Sequence, residues 1–200
     1  SKFLWNLKEL LFNERDLQMQ LAVYLRGTEH YDDVDVEYYV PQTVVGEAYL
    51  WNSQLYLDIV VRKGKEFFPI ELKYKTVKGS YMDTNCKNNA KGEVVELMTH
   101  SAVDLGCYAY LKDINRLEYL AKNDPDFERG FAIILTNEPL YYRDTGRSSV
   151  YDAFKIYDGK TVSGMLDWDR SNYDLEKLPS WLKSHPAFGL AGSYDMNWRN

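Results

Sequence analysis

The chain has 200 residues, of which 45% are hydrophobic and 27% are charged, and its net charge at pH 7 is −6. This length suits one domain with a single core that needs no disulfide or metal to fold. The acidic balance, taken alone, argues mildly against a nucleic-acid partner, because contact with phosphates needs positive surface.

The cysteine and hydropathy patterns are typical of a soluble protein from a reducing compartment. Cys86 and Cys107 form no CxxC pair and have no histidine partner at zinc-like spacing, which argues against a structural zinc site. No apolar run approaches the ~20 residues that span a bilayer, and the first 13 residues lack the order of a signal peptide. We therefore expect a cytoplasmic protein with no membrane partner.

The first part of the chain predicts a helix and then three strands. Leucines at three- and four-residue steps predict a helix over residues 13–26, with Asn13 as a candidate N-cap. Strands are predicted over residues 34–40, 55–62 and 66–75. In the second strand, strict alternation puts Leu57 and Ile59 on one face and Asp58 on the other.

The last two of these strands are predicted to form a hairpin. Gly64-Lys65 between them is the signature of a two-residue type II′ turn. With this turn, positions whose numbers add up to 129 lie opposite each other. Asp58 is then directly opposite Glu71.

The second part of the chain is less regular. We predict a loop over residues 76–92, a helix over 93–122 and a strand over 129–136 that is buried on both faces. Asp158-Gly159 predicts a hairpin, residues 175–184 a short helix, and residues 192–200 either a further strand or a segment packed on the core. The predicted whole is one α/β (α+β) domain over residues 1–200, with its core in residues 13–137 and an extension in residues 138–200.

The predicted hairpin brings charged side chains together on one face. Glu71 and Lys73 are two positions apart in one strand, so they leave the same face as each other. Two adjacent carboxylates repel unless one takes a proton or a cation lies between them. A hard divalent ion prefers oxygen ligands, and a nearby lysine can orient a bound water or stabilise charge on a phosphate. Asp58, Glu71 and Lys73 therefore suit hydrolysis of a phosphodiester, although a salt-bridge ladder on an exposed sheet would have the same residues.

Two further features add to this group. Glu14 lies on the apolar stripe of the first helix, where a carboxylate needs a partner or points into a site. Between Arg62 and Lys91 there are eight basic and three acidic residues, so the stretch is locally basic within an acidic chain. A basic surface of this kind suits contact with nucleic acid, and a solvated hairpin with its loop is the alternative.

The order of these parts resembles the PD-(D/E)XK nuclease superfamily, which includes many restriction endonucleases. Its core runs helix, three antiparallel strands, helix, strand (αβββαβ), with a central mixed sheet flanked by helices. The segments FNERDLQMQLAVYLR, YLDIVV, FFPIELKYKT and RGFAIILTN carry the resemblance, which covers about residues 13–137. Leu57 stands where the family has proline before its aspartate, a position that the superfamily holds loosely.

The resemblance implies a site, a cofactor and a partner. Asp58, Glu71 and Glu14 would hold Mg²⁺ or Mn²⁺, and Lys73 would act on the attacking water. The substrate would be a nucleic acid, with DNA favoured over RNA, and a homodimer is expected because double-strand cleavage usually needs two active sites. Candidates for contacting the nucleic acid are Lys75, Tyr108 and Lys112, while Arg116 is expected to be ordinary helix surface.

Two other interpretations stay open at the level of sequence. The same fold could serve as a catalytically silent module that binds nucleic acid or protein, which the acidic composition favours. A hydrolase of another class, or a structural protein, is the third interpretation. No P-loop, GxSxG elbow or dinucleotide fingerprint supports the common alternatives.

Overall fold

The computed structural model describes residues 3, 10–45, 49–51, 54–82, 94–100, 102–171 and 179–199. The chain is a mixed α+β protein with a four-stranded mixed sheet flanked by helices. It divides into two compact units, one of Ser1–His100 with Leu120–Asn137 and one of Ser101–Tyr119 with Glu138–Asn200. The sequence predicted one domain with a C-terminal extension over residues 138–200, whereas the second of these units also includes Ser101–Tyr119.

The first unit follows the predicted order through its opening helix and three strands. Helix α1 spans Glu14–Gly27, and the Asn13 side chain caps it by accepting the N–H of Asp16. Three antiparallel strands follow, and the later strand β6 pairs in parallel with β3, which gives the order β1-β2-β3-β6. The bounds of these strands are Asp33–Tyr39 for β1, Tyr56–Lys63 for β2, Glu66–Lys75 for β3 and Phe131–Thr136 for β6.

The remaining elements of the first unit are short. Helix α2 (Gln42–Val45) lies between β1 and β2, and the antiparallel pair β4 (Gly79–Met82) and β5 (Val94–Leu97) follows β3. These strands correct two predictions, since residues 79–82 were expected in a loop and residues 94–97 in a helix. Helix α3 begins only at Val103 and ends at Asn123.

The predicted register of the hairpin is confirmed as far as Ile59↔Ile70, and the expected pair of Asp58 with Glu71 is not among the paired residues. The turn residue Gly64 has φ +59°, as the first central position of a type II′ turn requires. Strands β2 and β3 pair from Lys63↔Glu66 to Ile59↔Ile70, and every pair adds up to 129.

Apolar side chains cover both faces of the four-stranded sheet. One core contains Leu17 and Leu21 of α1 together with Ile59 and Leu72 of the sheet. The other contains Leu55, Leu57, Val60 and Phe67 with Leu120 of α3. Because Leu57 and Ile59 belong to different cores, β2 changes faces at Asp58, and the predicted strict alternation is wrong at that residue.

Strand β6 was expected to be buried on both faces, and this is wrong. It forms one edge of the four-stranded sheet, and Phe131 and Ile133 are exposed. An edge strand has a neighbour on one side only, so a continuous apolar run can still lie partly at the surface.

The second unit has an aromatic core and a two-stranded sheet. Strand β7 (Thr161–Leu166) pairs antiparallel with β8 (Phe188–Asp195). Helices α4 (Pro139–Tyr142) and α5 (Ser180–Ser184) and a 3₁₀ turn (Asp152–Phe154) complete its described elements. The predicted hairpin at Asp158-Gly159 is wrong, because β7 pairs with β8 instead, while the predicted late strand and short helix are confirmed in part.

Candidate functional site

The pairing of β2 with β3 ends beside the predicted catalytic residues. After Ile59↔Ile70 the strands no longer pair, and the Leu72 N–H donates instead to Asp58 Oδ2 at 2.6 Å. A carboxylate accepting a backbone N–H forms a short charge-assisted hydrogen bond. Asp58 therefore replaces, with its side chain, a hydrogen bond that a continued β2 strand would have made.

The Glu14 side chain also accepts a backbone N–H group of β3, two residues further along that strand than Leu72. It is the first residue of α1, and its Oε2 accepts the Tyr74 N–H at 2.8 Å. Residues two apart in a strand present their N–H groups to the same side, so Asp58 and Glu14 occupy neighbouring places along one edge of β3. The sequence expectation that Glu14 needs an inward partner is met by this backbone group.

The Tyr74 hydroxyl ties this end of β3 to the chain before α1. It donates to the Leu11 carbonyl at 2.6 Å. Burial, with smaller contributions from the charges of Tyr81 and Asp16, raises the pKa of Tyr74 to about 12. The phenol therefore stays protonated at neutral pH and can keep donating.

Two predicted residues of β3 are adjacent to these donors. Glu71 immediately precedes Leu72, and Lys73 lies between Leu72 and Tyr74. The Glu71 side chain is buried, with 2% of the residue exposed, and Lys73 is half-buried. Lys73 Nζ donates to the Leu72 carbonyl at 3.0 Å. Lys75, two residues further on, is also half-buried. Asp58 and Glu14 thus bind the backbone of β3 at Leu72 and Tyr74, on the strand that carries Glu71 and Lys73. We call these four predicted residues the carboxylate cluster.

Two residues next to the carboxylate cluster were missed by the sequence analysis. Gln18 lies one helical turn after Glu14 and is buried. Its Nε2 donates to the Asp58 carbonyl at 2.6 Å and to Glu37 Oε1 at 3.1 Å. The sequence could have indicated Gln18, because it is a polar residue beside Leu17 on the apolar stripe of α1. Nothing in the sequence distinguishes Glu37.

The oxygen atoms of the carboxylate cluster suit a hard cation, but the number of carboxylates that could bind it together is limited. Carboxylate oxygens are the ligands that Mg²⁺ prefers, and it often uses only one or two of them plus waters. Within the part of the chain that the structure describes, no three His, Cys, Asp or Glu side chains are grouped as a metal site. The residues therefore fit an ion held by one or two carboxylates and waters, and not a cage of three.

The predicted nucleic-acid contacts on α3 belong to the second unit. Tyr108 is only 2% exposed, its ring stacks on Trp168 with centroids 5.4 Å apart, and its hydroxyl donates to the Pro186 carbonyl at 2.9 Å. The prediction of an accessible Tyr108 is wrong, because the ring is part of an aromatic core. Lys112 is half-buried, and Arg116 forms an ion pair with Asp113 at 3.2 Å.

The basic stretch is less available than its composition indicated. The Arg62 guanidinium packs over the rings of Tyr38 and Phe67, 5.3 and 4.9 Å from their centroids, and donates to the Tyr38 hydroxyl. Stacking of this kind holds the cation against the sheet. Lys87 and Lys91 lie outside the described residues.

Comparison with known proteins gives no match to a family model, a curated protein or a solved structure. Among the described residues, no helix is both long enough and apolar enough to cross a membrane.

Proposed function

We propose that the first unit has a restriction-endonuclease-like fold and hydrolyses phosphodiester bonds of nucleic acid with Mg²⁺ or Mn²⁺. The observation that carries the proposal is the carboxylate cluster. Two carboxylates from other elements, Glu14 of α1 and Asp58 of β2, bind backbone N–H groups of β3, the strand that carries Glu71 and Lys73. The cluster combines oxygen ligands with a lysine, which is the chemistry that phosphodiester hydrolysis requires.

Each side chain of the cluster has a role in this proposal. Glu71 and Asp58 would hold the ion, and Glu14 would add negative charge at the start of α1. A bound divalent ion supplies a more acidic water and neutralises charge on the phosphate. The Lys73 ammonium, half-buried on β3, would orient the attacking water or stabilise the charge that develops on the phosphate oxygens.

The substrate is proposed to be DNA, and the working form a homodimer. Lys75 lies two residues beyond Lys73 on the same strand and is half-buried, and it would contact the substrate backbone. Contact between lysines and phosphates releases counterions, so binding should weaken steeply as salt is added. Lys112 stays a candidate contact.

The test compares Glu71→Gln with Glu66→Gln, which changes an exposed glutamate at the start of the same strand. Mg²⁺ and Mn²⁺ are titrated by calorimetry, and cleavage is followed on single- and double-stranded DNA and RNA. We expect Glu71→Gln to abolish cleavage and to weaken metal binding by more than the roughly 10- to 100-fold typical of outer-shell changes. Glu66→Gln should behave like the wild type. Cleavage that survives in Glu71→Gln would place the active site elsewhere.

The alternative function is a binding module without catalysis. The observation that favours it is that Glu14 and Asp58 already accept backbone hydrogen bonds, which a purely structural role would also explain. Under this alternative the wild type binds nucleic acid or protein, and no divalent ion produces cleavage. The same titration therefore separates the two functions.

A further inference from the structure

The pairing of β1 with β2 is interrupted at one position, which includes Asp58 of the carboxylate cluster. The register runs from Asp33↔Arg62 to Val36↔Ile59 and resumes at Tyr38↔Leu57. The register passes over Glu37 of β1 and Asp58 of β2 between these two runs of pairs. β2 also changes faces there, since Leu57 and Ile59 pack in different cores.

The side chain of Gln18 enters this interruption from α1. Its single Nε2 atom carries two N–H bonds, one directed at the Asp58 carbonyl and one at the Glu37 carboxylate. Gln18 is 6% exposed, so water does not readily replace these bonds. A carboxylate at this position would offer no donor, and an apolar side chain would leave the Asp58 carbonyl without this hydrogen bond.

Glu37 adopts a backbone conformation that requires support. Its φ of +51° is in the left-handed region, which is unfavourable for a residue with a side chain. Non-glycine residues persist in such conformations when surrounding contacts hold them. The hydrogen bond from Gln18 to the Glu37 carboxylate is such a contact.

We infer that Gln18 is a positioning residue that sets the place of Asp58 in the carboxylate cluster. Asp58 is held at two points, its carbonyl by Gln18 Nε2 and its carboxylate by the Leu72 N–H. Loss of the first contact frees the backbone of Asp58 to turn toward β1, and the carboxylate turns with it. The metal role of Asp58 rests on the function proposed above, whereas the positioning itself does not.

The test compares Gln18→Met with Gln20→Met. Methionine keeps the size of glutamine and removes its donors, and Gln20 is a matched control because its amide bonds Asp16 within α1. The first readout is the Leu72 amide signal in ¹H–¹⁵N spectra of metal-free protein. We expect Gln18→Met to displace this signal, since the Asp58 carboxylate moves away from it, and Gln20→Met to leave it in place.

The second readout is the dissociation constant for Mn²⁺, measured by calorimetry. Outer-shell changes usually weaken metal binding by about 10- to 100-fold, and we expect Gln18→Met to fall in this range. Unfolding in urea identifies the fraction folded for each variant. A second variant, Gln18→Glu with Glu37→Gln, restores the bond between the two side chains but not the one to the Asp58 carbonyl. It should therefore remain defective.

The outcomes separate this inference from the proposed function. The positioning role of Gln18 is overturned if folded Gln18→Met leaves both the Leu72 amide signal and the dissociation constant for Mn²⁺ unchanged. Full recovery in the double variant also overturns it, because support of Glu37 alone would then suffice. If the wild type binds no Mn²⁺, the proposed function fails, and the Leu72 signal still decides whether Gln18 positions Asp58.

Discussion

Glu14 carries a negative charge and also accepts a backbone hydrogen bond, and substitution can separate these two properties. Glu14→Gln keeps an acceptor oxygen for the Tyr74 N–H, whereas Glu14→Ala leaves this partly buried donor without it. We expect Glu14→Ala to lower the free energy of unfolding by about 1–3 kcal/mol and Glu14→Gln to lower it far less. Urea unfolding measures both.

The same pair of variants bears on the proposed metal site. Glu14→Gln removes the charge without removing the hydrogen bond, so it should weaken Mn²⁺ binding while the protein remains stable. Equal Mn²⁺ affinity in the wild type and Glu14→Gln would restrict Glu14 to a structural role.

Cys107 is predicted to be chemically inert in the folded chain. The thiol is buried in the second unit, and burial, reinforced by the charge of Asp104, raises its pKa to about 12. Because the thiolate is the reactive form, a thiol that stays protonated and covered should not react. In a Cys86→Ser background we expect no labelling by a disulfide reagent at pH 8 until urea is added. Rapid labelling without urea would show that this core opens.

At the scale of elements, the β2–β3 turn depends on one glycine. Gly64 has φ +59°, and a Cβ added to it would meet no atom within 4 Å, so backbone strain alone opposes substitution. We expect Gly64→Ala to lower the free energy of unfolding by about 1–2 kcal/mol. Gly64→Asn should cost less, because asparagine adopts this conformation more readily. Equal losses for the two variants would point to a cause other than φ.

The sequence predicts this hairpin well because its information is local. The turn residues and the alternation of 66–75 lie within one stretch of chain, and the register follows from the turn. Asp58, Glu71 and Lys73 could therefore be grouped in advance. The hydrogen bond from the Leu72 N–H to Asp58 could not be predicted, because it depends on where β2 leaves β3.

The errors in the element predictions have a common physical cause. Residues 94–97 have helical spacing but pair with residues 79–82 as strands, and Gly159 suggested a hairpin although β7 pairs with a strand 22 or more residues away. Tertiary pairing overrides local propensity in such segments. The change of faces at Asp58 has the same origin, because it requires Gln18 and Glu37 from two other elements.

At the scale of the whole molecule, buried tyrosines should make the protein sensitive to alkali. Burial is the leading cause of a raised pKa at five described tyrosines, and the pKa values of Tyr74 and Tyr110 rise to about 12. The other three are Tyr141, Tyr151 and Tyr194. In the unfolded chain these phenols ionise near pH ~10. The unfolded state then loses protons that the folded state keeps, so stability should fall as pH rises above 10.

Two measurements check this prediction. Absorbance at 295 nm should show one group of tyrosines that ionises near pH ~10 and another that ionises later or together with unfolding. Urea midpoints at pH 8, 10 and 11 should decrease in that order. A constant midpoint across this range would contradict the raised pKa values.

The order of strands in the sheet has a consequence for how the chain is made. Ile70 of β3 pairs in parallel with Phe131 of β6, whereas β1, β2 and β3 are neighbours in sequence. A ribosome adding about 5–20 residues per second needs roughly 3–12 s to make the intervening segment of about 60 residues. During that interval the three-stranded meander can form while the far edge of β3 has no strand to pair with. An open edge is a site for pairing with another chain. Newly made chains that emerge close together on one messenger are therefore at risk of joining through β3 until β6 arrives.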